Sequence, residues 1–324
     1  MMANERTTAA PQGRIRAKTD GLAAASPDWS LRRTGDLQIL VARPLANLPW
    51  LVHGFSTRPG GASEFPAPGA GGRSERVLNL GYTAWDQRAR VAKNRQEFAA
   101  AIGAGKTRMV ALRQIHSDLA HRVAPSDADA GLHGDALFTR EPGILLAVQT
   151  ADCIPILLAD QRTHAVAAVH AGWRGTLKRI AEKTLGRMRM EFGTRPEDVV
   201  AAIGPGIGGC CYEVGHEVAR EFAAQFAHAR DWFEGPFDSM AGGDNDPNWL
   251  PWLTMAPPGH APEPPRVHLN LAGANRDILV AAGVAAQNIV VSEFCTSCRT
   301  DLFFSYRKER QTGRMMAAIG IRGE

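Results

Sequence analysis

The 324-residue sequence contains no apolar run long enough to cross a membrane as a helix. Its longest apolar stretch, residues 143–158, is interrupted by Gln149, Thr150 and Asp152. The first residues include several arginines but no apolar segment, which argues against a secretory signal. The net charge is only +4, and no aromatic-rich basic stripe is present. These absences predict a globular protein that binds neither a membrane nor nucleic acid.

Cysteine is also scarce, with five residues in the chain. An odd number without a secretion signal predicts free thiols in a reducing compartment, which makes the cytoplasm the expected location. Cys295 and Cys298 have CxxC spacing, but without a second CxxC or a His pair a redox or zinc-knuckle role is disfavoured. In an extended segment the adjacent Cys210 and Cys211 would point in opposite directions, so at most one is expected to face a given site.

Histidine is limited to ten residues, and none of them forms a His-x-His pair. Oxidases that use several copper ions need many His ligands, commonly in such pairs. The sequence therefore disfavours multicopper oxidase chemistry.

The apolar content that is present, 44% hydrophobic residues, is enough for a full core. Runs typical of strands and stripes typical of helices follow one another without strict alternation. This mixture predicts an α/β fold in the broad sense (α+β), a single compact domain with mixed β-sheets flanked by helices. The expected domain covers residues 36–324, after a disordered extension at residues 1–35 and with a surface excursion at residues 228–266.

Local patterns add further expectations about single segments. Residues 59–76, which are rich in Gly, Pro and Ala, predict a surface loop. Asp86 is expected to cap a helix that runs to about Ile102. Another helix is expected from Gly172 to about Phe192, because its apolar residues follow helical spacing.

Three residues far apart in the chain, His116, Cys153 and His170, offer two imidazoles and one thiolate. Any one of them alone is more often a packed core residue than a ligand. Cys153 and His170, however, follow the apolar runs 144–148 and 165–169, and strand ends let side chains from separate segments converge. Together the three predict a zinc site whose fourth tetrahedral position is open to water or substrate, with copper as a less favoured metal.

The same residues leave other chemistries open. Cys153 as nucleophile with His170 as its base would make a thiol hydrolase. A closed fourth position would instead make a structural zinc or ligand-binding module without turnover. Metal content and turnover separate these alternatives.

Ordered motifs extend through nearly the whole chain, from about residue 51 to residue 321. They are His53-Gly54-Phe55-Ser56-Thr57-Arg58 with Gly60-Gly61, Leu78-Asn79-Leu80-Gly81, Asn94-Arg95, Gln114-Ile115-His116, Gly134-Asp135-Ala136, Thr150-Ala151-Asp152-Cys153, His170-Ala171-Gly172-Trp173-Arg174-Gly175, Gly204-Pro205-Gly206-Ile207, Cys211-Tyr212-Glu213-Val214, Phe303-Phe304-Ser305-Tyr306-Arg307 and Thr312-Gly313-Arg314. This series resembles the laccase-domain family, once described as multicopper polyphenol oxidases and now treated as purine nucleoside phosphorylases with adenosine deaminase activity. The N-terminal extension and the long segment 228–266 depart from the family pattern, but neither touches the ligand motifs.

The resemblance implies a zinc-dependent purine nucleoside phosphorylase acting on adenosine, inosine, guanosine and methylthioadenosine, with adenosine deaminase activity. It implies that His116, Cys153 and His170 are the zinc ligands of the catalytic site, and that Asn79 and Arg95 belong to the substrate side of the pocket. As purely structural residues, these last two would be a turn-forming Asn and a solvated helix Arg. Editing of cell-wall precursors, a role suggested for some bacterial relatives, stays open as an alternative.

The chemistry of these reactions suggests further residues. Deamination needs a group that moves a proton, and Asp152 is the candidate, with a structural hydrogen bond as its alternative role. Phosphorolysis needs cations that hold phosphate, for which the candidates are Arg58, Arg95 and Arg174. A surface ion pair is the favoured alternative for Arg58 and Arg174. Purine nucleosides and phosphate are the expected partners, and a monomer is expected because one chain supplies all three ligands.

Overall fold

The computed structural model describes residues 27–66, 74–127, 131–238 and 266–323. Within these ranges, two six-stranded sheets form the centre of the molecule. The first sheet has the order β1 (Trp29–Thr34), β2 (Leu37–Ala42), β3 (Leu51–Ser56), β17 (Met315–Ile321), β9 (Ile144–Thr150) and β6 (Arg108–Ala111). The second has the order β16 (Ile289–Val291), β12 (Val199–Ile203), β10 (Ile154–Asp160), β11 (Val166–Ala171), β8 (Ala136–Thr139) and β7 (Ala120–Arg122).

Smaller sheets and helices surround these two sheets. A three-stranded sheet has the order β13 (Glu213–Val214), β15 (Val267–Leu269) and β14 (Phe233–Glu234), and a hairpin pairs β4 (Pro59–Pro66) with β5 (Ser74–Val77). The helices of the described ranges are α1 (Arg43–Ala46), α2 (Arg88–Ala101), α3 (Trp173–Leu177), α4 (Ile180–Phe192), α5 (His216–Gln225), α6 (Leu271–Ala281) and α7 (Tyr306–Glu309).

The two large sheets pack face to face, and the alternation of side chains along β10 shows how. Leu157 and Ala159 belong to the core between the sheets, together with Leu146 of β9. Ile156 and Leu158 belong to the core on the opposite face, beneath α4, α5 and α6. Because both faces of β10 are covered, the whole strand is buried, and its residues 154–159 form a continuous apolar run. Helix α2 packs on the outer face of the first sheet.

This architecture confirms the predicted fold class of mixed sheets flanked by helices in a single compact domain. The pairs β6–β9, β7–β8 and β12–β16 are parallel, while the other pairs in the two large sheets are antiparallel. Among the described residues, no helix combines the length and the apolar character that a membrane crossing requires.

The prediction that residues 1–35 form a disordered extension is wrong for residues 29–34. These residues form β1, which pairs along its length with β2. Trp29 is buried, packs edge-on against Phe55 and donates from Nε1 to the Val291 carbonyl oxygen. The strand escaped prediction because the residues after Trp29 are mostly polar and exposed. Residues 1–26 lie outside the described ranges.

The predicted surface excursion at residues 228–266 is wrong at its N-terminal end. A short 3-10 turn and β14 directly follow α5, and Trp232 and Phe233 are buried. Both rings pack edge-on against Phe222 of α5, so aromatic contacts hold this segment on the core. Residues 239–265 lie outside the described ranges.

Two further segments differ locally from their predictions. The predicted loop at residues 59–76 contains the paired strands β4 and β5, with residues 67–73 outside the described ranges. The predicted helix from Gly172 to Phe192 is divided into α3 and α4, because Arg179 adopts a left-handed conformation with a φ of 59°. No Gly or Pro marks that break in the sequence.

Candidate metal centre

The three candidate ligands meet where the chain passes from the first large sheet to the second. His116 lies in the loop after β6, Cys153 in the crossing from β9 to β10, and His170 near the end of β11. Their ligand atoms all lie within 4.8 Å of one another, and Cys153 Sγ is 3.9 Å from His116 Nε2. Two imidazoles and one thiol converging on one point fit a single metal ion with one coordination position left open.

Unusual backbone geometry makes this convergence possible. His116 and Asp152 have positive φ angles of 57° and 90°, a region that side-chain-bearing residues seldom adopt and that is concentrated at functional sites. Strand β10 begins directly after Cys153 and pairs antiparallel with β11, which sets Cys153 beside Gly172. A Cβ atom on Gly172 would lie 2.9 Å from the Cys153 sulfur, so any larger residue there would displace the sulfur from its present position.

Asp135 holds both imidazoles in place, a role that sequence reasoning missed. Its buried Oδ1 accepts a hydrogen bond from His170 Nδ1 at 2.9 Å and another from the His116 backbone amide at 3.0 Å. Its Oδ2 accepts from the Ser117 hydroxyl at 2.7 Å. Because Nδ1 of His170 donates to Asp135, Nε2 is left to face Cys153 and a metal. The motif around Asp135 contributes to the family resemblance, but only the fold reveals this contact.

Burial and charge together set the protonation of this cluster. Burial would raise the pKa of Asp135, but hydrogen bonds from His170 and Ser117 lower it to about 2. Burial would also raise the pKa of Cys153, but the charge of His170 and a hydrogen bond from His116 lower it to about 6. Burial would lower the pKa of His170, but the Cys153 thiolate and the bond to Asp135 raise it to about 9. Near neutral pH the metal-free centre is therefore a thiolate beside an imidazolium.

The three candidate ligands line a cavity of about 760 Å³, within the size range of small-molecule sites. Aromatic faces can stack on a planar ring, and guanidinium groups can pair with the oxygens of an anion. Side chains of both kinds line the cavity, among them Tyr82, Tyr212, Tyr306, Arg174, Arg307 and Arg314.

Asp152 lines the same cavity beside Cys153. Its Oδ1 accepts a hydrogen bond from the Thr296 hydroxyl at 2.7 Å, and its Oδ2 accepts from the Arg307 backbone amide at 2.6 Å. Two donors from the C-terminal part of the chain thus fix the orientation of this carboxylate.

The arginines predicted to hold substrate separate into two groups. Arg174 lines the cavity, with its guanidinium 4.4 Å from the ring centre of Trp173. Arg95 does not line it; its guanidinium lies 4.4 Å from the ring centre of Tyr82, and its Nε donates to the Leu80 carbonyl oxygen at 2.9 Å. The structure therefore places Arg95 outside the cavity, against one of its aromatic residues.

Arg58 also lies outside the cavity. It is buried, forms ion pairs with Glu75 and with Glu309 at 2.6 Å, and contacts the rings of Phe65 and Phe304. These contacts fit the ion-pair alternative, although Arg58 itself is buried and only Glu75 of its two partners has a largely exposed side chain.

Asn79 is buried outside the cavity but is connected to it through Arg314. Its Oδ1 accepts a hydrogen bond from the Arg314 backbone amide at 2.9 Å, and its Nδ2 donates to Asp86 at 2.7 Å.

The predicted cap of α2 by Asp86 is wrong. Asp86 accepts the hydrogen bond from Asn79, and no side chain caps this helix. Arg307 and Arg314, which line the cavity, received no role from the sequence although both lie in family motifs.

Comparisons with known proteins establish the family. The family model described as multi-copper polyphenol oxidoreductase laccase matches residues 52–322, so the chain belongs to this family. The chain is 40% identical over 285 residues to a purine nucleoside phosphorylase of Deinococcus radiodurans, covering 86% of this chain and 93% of that protein. It is 36% identical over 239 residues to the adenosine deaminase RL5 of an unknown prokaryotic organism, covering 71% and 81%. The crystal structure of YlmD from Geobacillus stearothermophilus matches with a TM-score of 0.71 at 33% identity, covering 90% of this chain and 99% of that one. The family resemblance is thereby confirmed.

Proposed function

We propose that the chain is a zinc-dependent purine nucleoside phosphorylase with adenosine deaminase activity, acting on adenosine, inosine, guanosine and methylthioadenosine. The observation that carries the proposal is the open centre of His116, Cys153 and His170, which faces a cavity large enough for a nucleoside. The names of two relatives, one a phosphorylase and one a deaminase, support the choice of substrate class. The enzyme is expected to work as a monomer in the cytoplasm.

Zinc fits the donor set of the centre. Two imidazoles with one thiolate are common zinc ligands, and a carboxylate behind one imidazole, as Asp135 stands behind His170, is the usual support of such a ligand. Bound there, zinc supplies a Lewis acid with one position for water or a substrate atom. The chain's own residues must bind the substrates and move the protons.

Phosphorolysis breaks the bond between the sugar C1′ and the purine nitrogen and forms a bond from a phosphate oxygen to C1′. The purine leaves with the bonding electron pair and takes up a proton. Arg174, Arg307 and Arg314 offer guanidinium groups to phosphate, and Nη1 of Arg307 is already oriented by donating to the Glu213 carbonyl oxygen at 2.9 Å. Tyr212, whose ring lies 5.1 Å from the Arg307 guanidinium carbon, offers an aromatic face to the purine.

Deamination adds the oxygen of water to the purine C6 and releases ammonia, so a proton must pass from the water to the leaving nitrogen. Asp152 is the carboxylate of the cavity next to Cys153, and we assign this proton transfer to it. Its two hydrogen bonds, from Thr296 and from the Arg307 amide, keep both oxygens in a fixed orientation.

Product analysis tests the proposal. Metal-replete protein is incubated with adenosine, inosine or methylthioadenosine, with and without phosphate, and the products are separated by chromatography. We expect free adenine from adenosine only when phosphate is present, and inosine when it is absent. The Cys153→Ser variant is the matched control and should lose both reactions. If neither base nor inosine forms with metal-replete protein, the nucleoside proposal fails.

One observation favours a second candidate, a thiol hydrolase. The lowered pKa of Cys153, about 6, and the raised pKa of His170, about 9, describe a thiolate and imidazolium pair such as cysteine nucleophiles use. A thiol nucleophile works without metal, whereas the proposed phosphorylase does not. Activity that survives complete metal removal would favour the hydrolase, and activity restored only by zinc would exclude it.

A further inference from the structure

Four cysteines that the proposed reaction does not use lie together in a second cluster. Cys210 and Cys211 follow the glycine-rich loop after β12, and Cys295 and Cys298 lie in the loop after β16. All four sulfur atoms lie within 4.8 Å of one another. The cluster thus joins two loops that are more than eighty residues apart in the chain.

The prediction that only one of the adjacent cysteines can face a given site is wrong. Residues 209–211 form a turn rather than an extended segment, and the amides of Cys211 and Tyr212 both donate to the Gly208 carbonyl oxygen at 2.9 Å. The turn brings the sulfurs of Cys210 and Cys211 to the same side, 3.8 Å apart. Cys210 and Cys211 therefore join Cys295 and Cys298 of the CxxC sequence to give four sulfur atoms at one site.

Three of the six sulfur-to-sulfur distances are close to the edges of a tetrahedral tetrathiolate site, and all six are below 4.8 Å. A Zn–S bond of about 2.3 Å implies sulfur-to-sulfur edges of about 3.8 Å. The Cys210–Cys211, Cys210–Cys298 and Cys211–Cys298 sulfur distances are 3.8, 3.6 and 3.3 Å. A disulfide would need about 2.05 Å, and all four residues are free cysteines.

A backbone amide also donates a hydrogen bond to one of the four sulfurs. The Gly208 amide donates to the Cys295 sulfur at 3.2 Å. Such donors stabilise negative charge on a sulfur that is otherwise buried. Four cysteine sulfurs that converge on one point are the ligand set of a closed structural zinc site.

We propose that Cys210, Cys211, Cys295 and Cys298 bind one structural zinc ion, separate from the centre at His116, Cys153 and His170. Four protein ligands complete the tetrahedron, so no position is left for substrate. Zinc suits the site because Cys210 and Cys298 are exposed, and zinc, unlike iron or copper, undergoes no redox chemistry there.

This zinc would hold two loops that reach the cavity. Tyr212 and Ile207, on the first loop, line the cavity. Thr296, between the cysteines of the second loop, donates to Asp152 and through its amide to the Gly206 carbonyl oxygen at 3.0 Å. The ion would thus be a positioning element for Asp152 and Tyr212 without touching substrate.

Metal analysis of purified protein tests this inference. We expect two zinc ions per chain in the native protein, one in Cys153→Ser and one in Cys298→Ser, because each substitution removes a ligand from only one site. Loss of zinc in Cys153→Ser bears on the proposed function, and loss in Cys298→Ser bears on the present inference, so the two can fail independently. Substitution with cobalt should give the visible absorption of a tetrathiolate site in Cys153→Ser.

Should Cys298→Ser fail to fold, the Cys153→Ser protein alone still decides the question. Its one zinc ion should be released when a mercurial reagent blocks the exposed thiols, and a colorimetric chelator would detect the release. Cys153→Ser protein that contains no zinc, or that contains iron instead, overturns the proposal. A mass measured without reductant that shows disulfides between these cysteines in place of metal also overturns it.

Discussion

Asp135 determines the geometry of the candidate centre more than any other residue that is not itself a ligand. It receives hydrogen bonds from the ring of His170, from the backbone amide of His116 and from both the amide and the hydroxyl of Ser117. Only a carboxylate offers acceptors on both of its atoms to such a set of donors. One side chain thus orients one imidazole directly and the other through its loop.

We predict that Asp135→Asn weakens zinc binding by about 10–100-fold, the usual effect of losing such a supporting carboxylate. The amide nitrogen of the new residue would face backbone N–H donors, so the loop of His116 would shift as well. Zinc affinity is measured by competition with a chromogenic chelator. Asp198→Asn, which alters a surface ion pair with Arg162, is the matched control and should bind zinc as the native protein does. Equal affinities in the two variants would contradict the role assigned to Asp135.

Residue types and the positions of two of them beside strand ends were enough to select His116, Cys153 and His170 as candidate ligands, and the structure brings the three together. The same reasoning placed Arg58 and Arg95 with the substrate, and the structure places both outside the cavity. An arginine in a sequence motif does not show which way its side chain points, because that depends on burial and on partners such as Glu309. Asp135 was missed for the same reason: its partners lie about 20 and 35 residues away.

Gly172, the residue directly before α3, lies too close to two candidate ligands to leave room for a side chain. A Cβ built there would lie 2.9 Å from the Cys153 sulfur and 3.2 Å from His116 Cδ2. Its φ of −77° is ordinary, so the requirement for glycine comes from space and not from backbone conformation. A methyl group at this position would therefore push Cys153 and His116 away from the end of β11 and the start of α3.

We predict that Gly172→Ala lowers the zinc content of the centre at His116, Cys153 and His170 and reduces catalytic activity at least tenfold, because the methyl group displaces two ligands. Gly186→Ala in α4 is the control, since nothing lies within 4 Å of its added Cβ. An alanine inside a helix should leave activity unchanged and raise the free energy of unfolding by about 0.5–1 kcal/mol. Metal analysis and urea denaturation measure the two effects. A Gly172→Ala protein with full zinc and full activity would contradict the packing argument.

The elements that the sequence predicted best are those buried on both faces. The mostly apolar sequences of β9, β10, β11 and β12 predict strands at residues 143–149, 154–158, 165–169 and 199–203, which agree with the structure to within one or two residues. Strand β1 was missed because most of its residues are polar and exposed or half-buried, and strand β4 was missed because its Gly and Pro residues are typical of a loop. The break between α3 and α4 depends on the left-handed Arg179, which no local signal announces. A strand that is buried on both faces has an apolar sequence that predicts it. The exposed strands and the break between α3 and α4 depend on tertiary contacts that the local sequence does not show.

In the molecule as a whole, the candidate centre links the two large sheets. His116 follows a strand of the first sheet, His170 belongs to the second, and Cys153 lies on the crossing between them. The four-cysteine cluster ties together two loops that follow β12 and β16 of the second sheet. A metal bound at either place is therefore coupled to the folded arrangement of distant segments, and such a ligand stabilises the folded state by mass action.

We predict that zinc added to metal-free native protein raises its thermal unfolding temperature by more than it does for Cys153→Ser. A ligand that binds only the folded state contributes about 2.7 kcal/mol at one hundred times its Kd, and Cys153→Ser lacks one ligand of the centre between the sheets. The variant should keep the smaller shift that comes from the four cysteines, while Cys298→Ser should keep the shift that comes from the centre. Differential scanning calorimetry at several zinc concentrations measures each shift. If native protein and Cys153→Ser respond equally, then zinc does not bind at His116, Cys153 and His170 in a way that joins the two sheets.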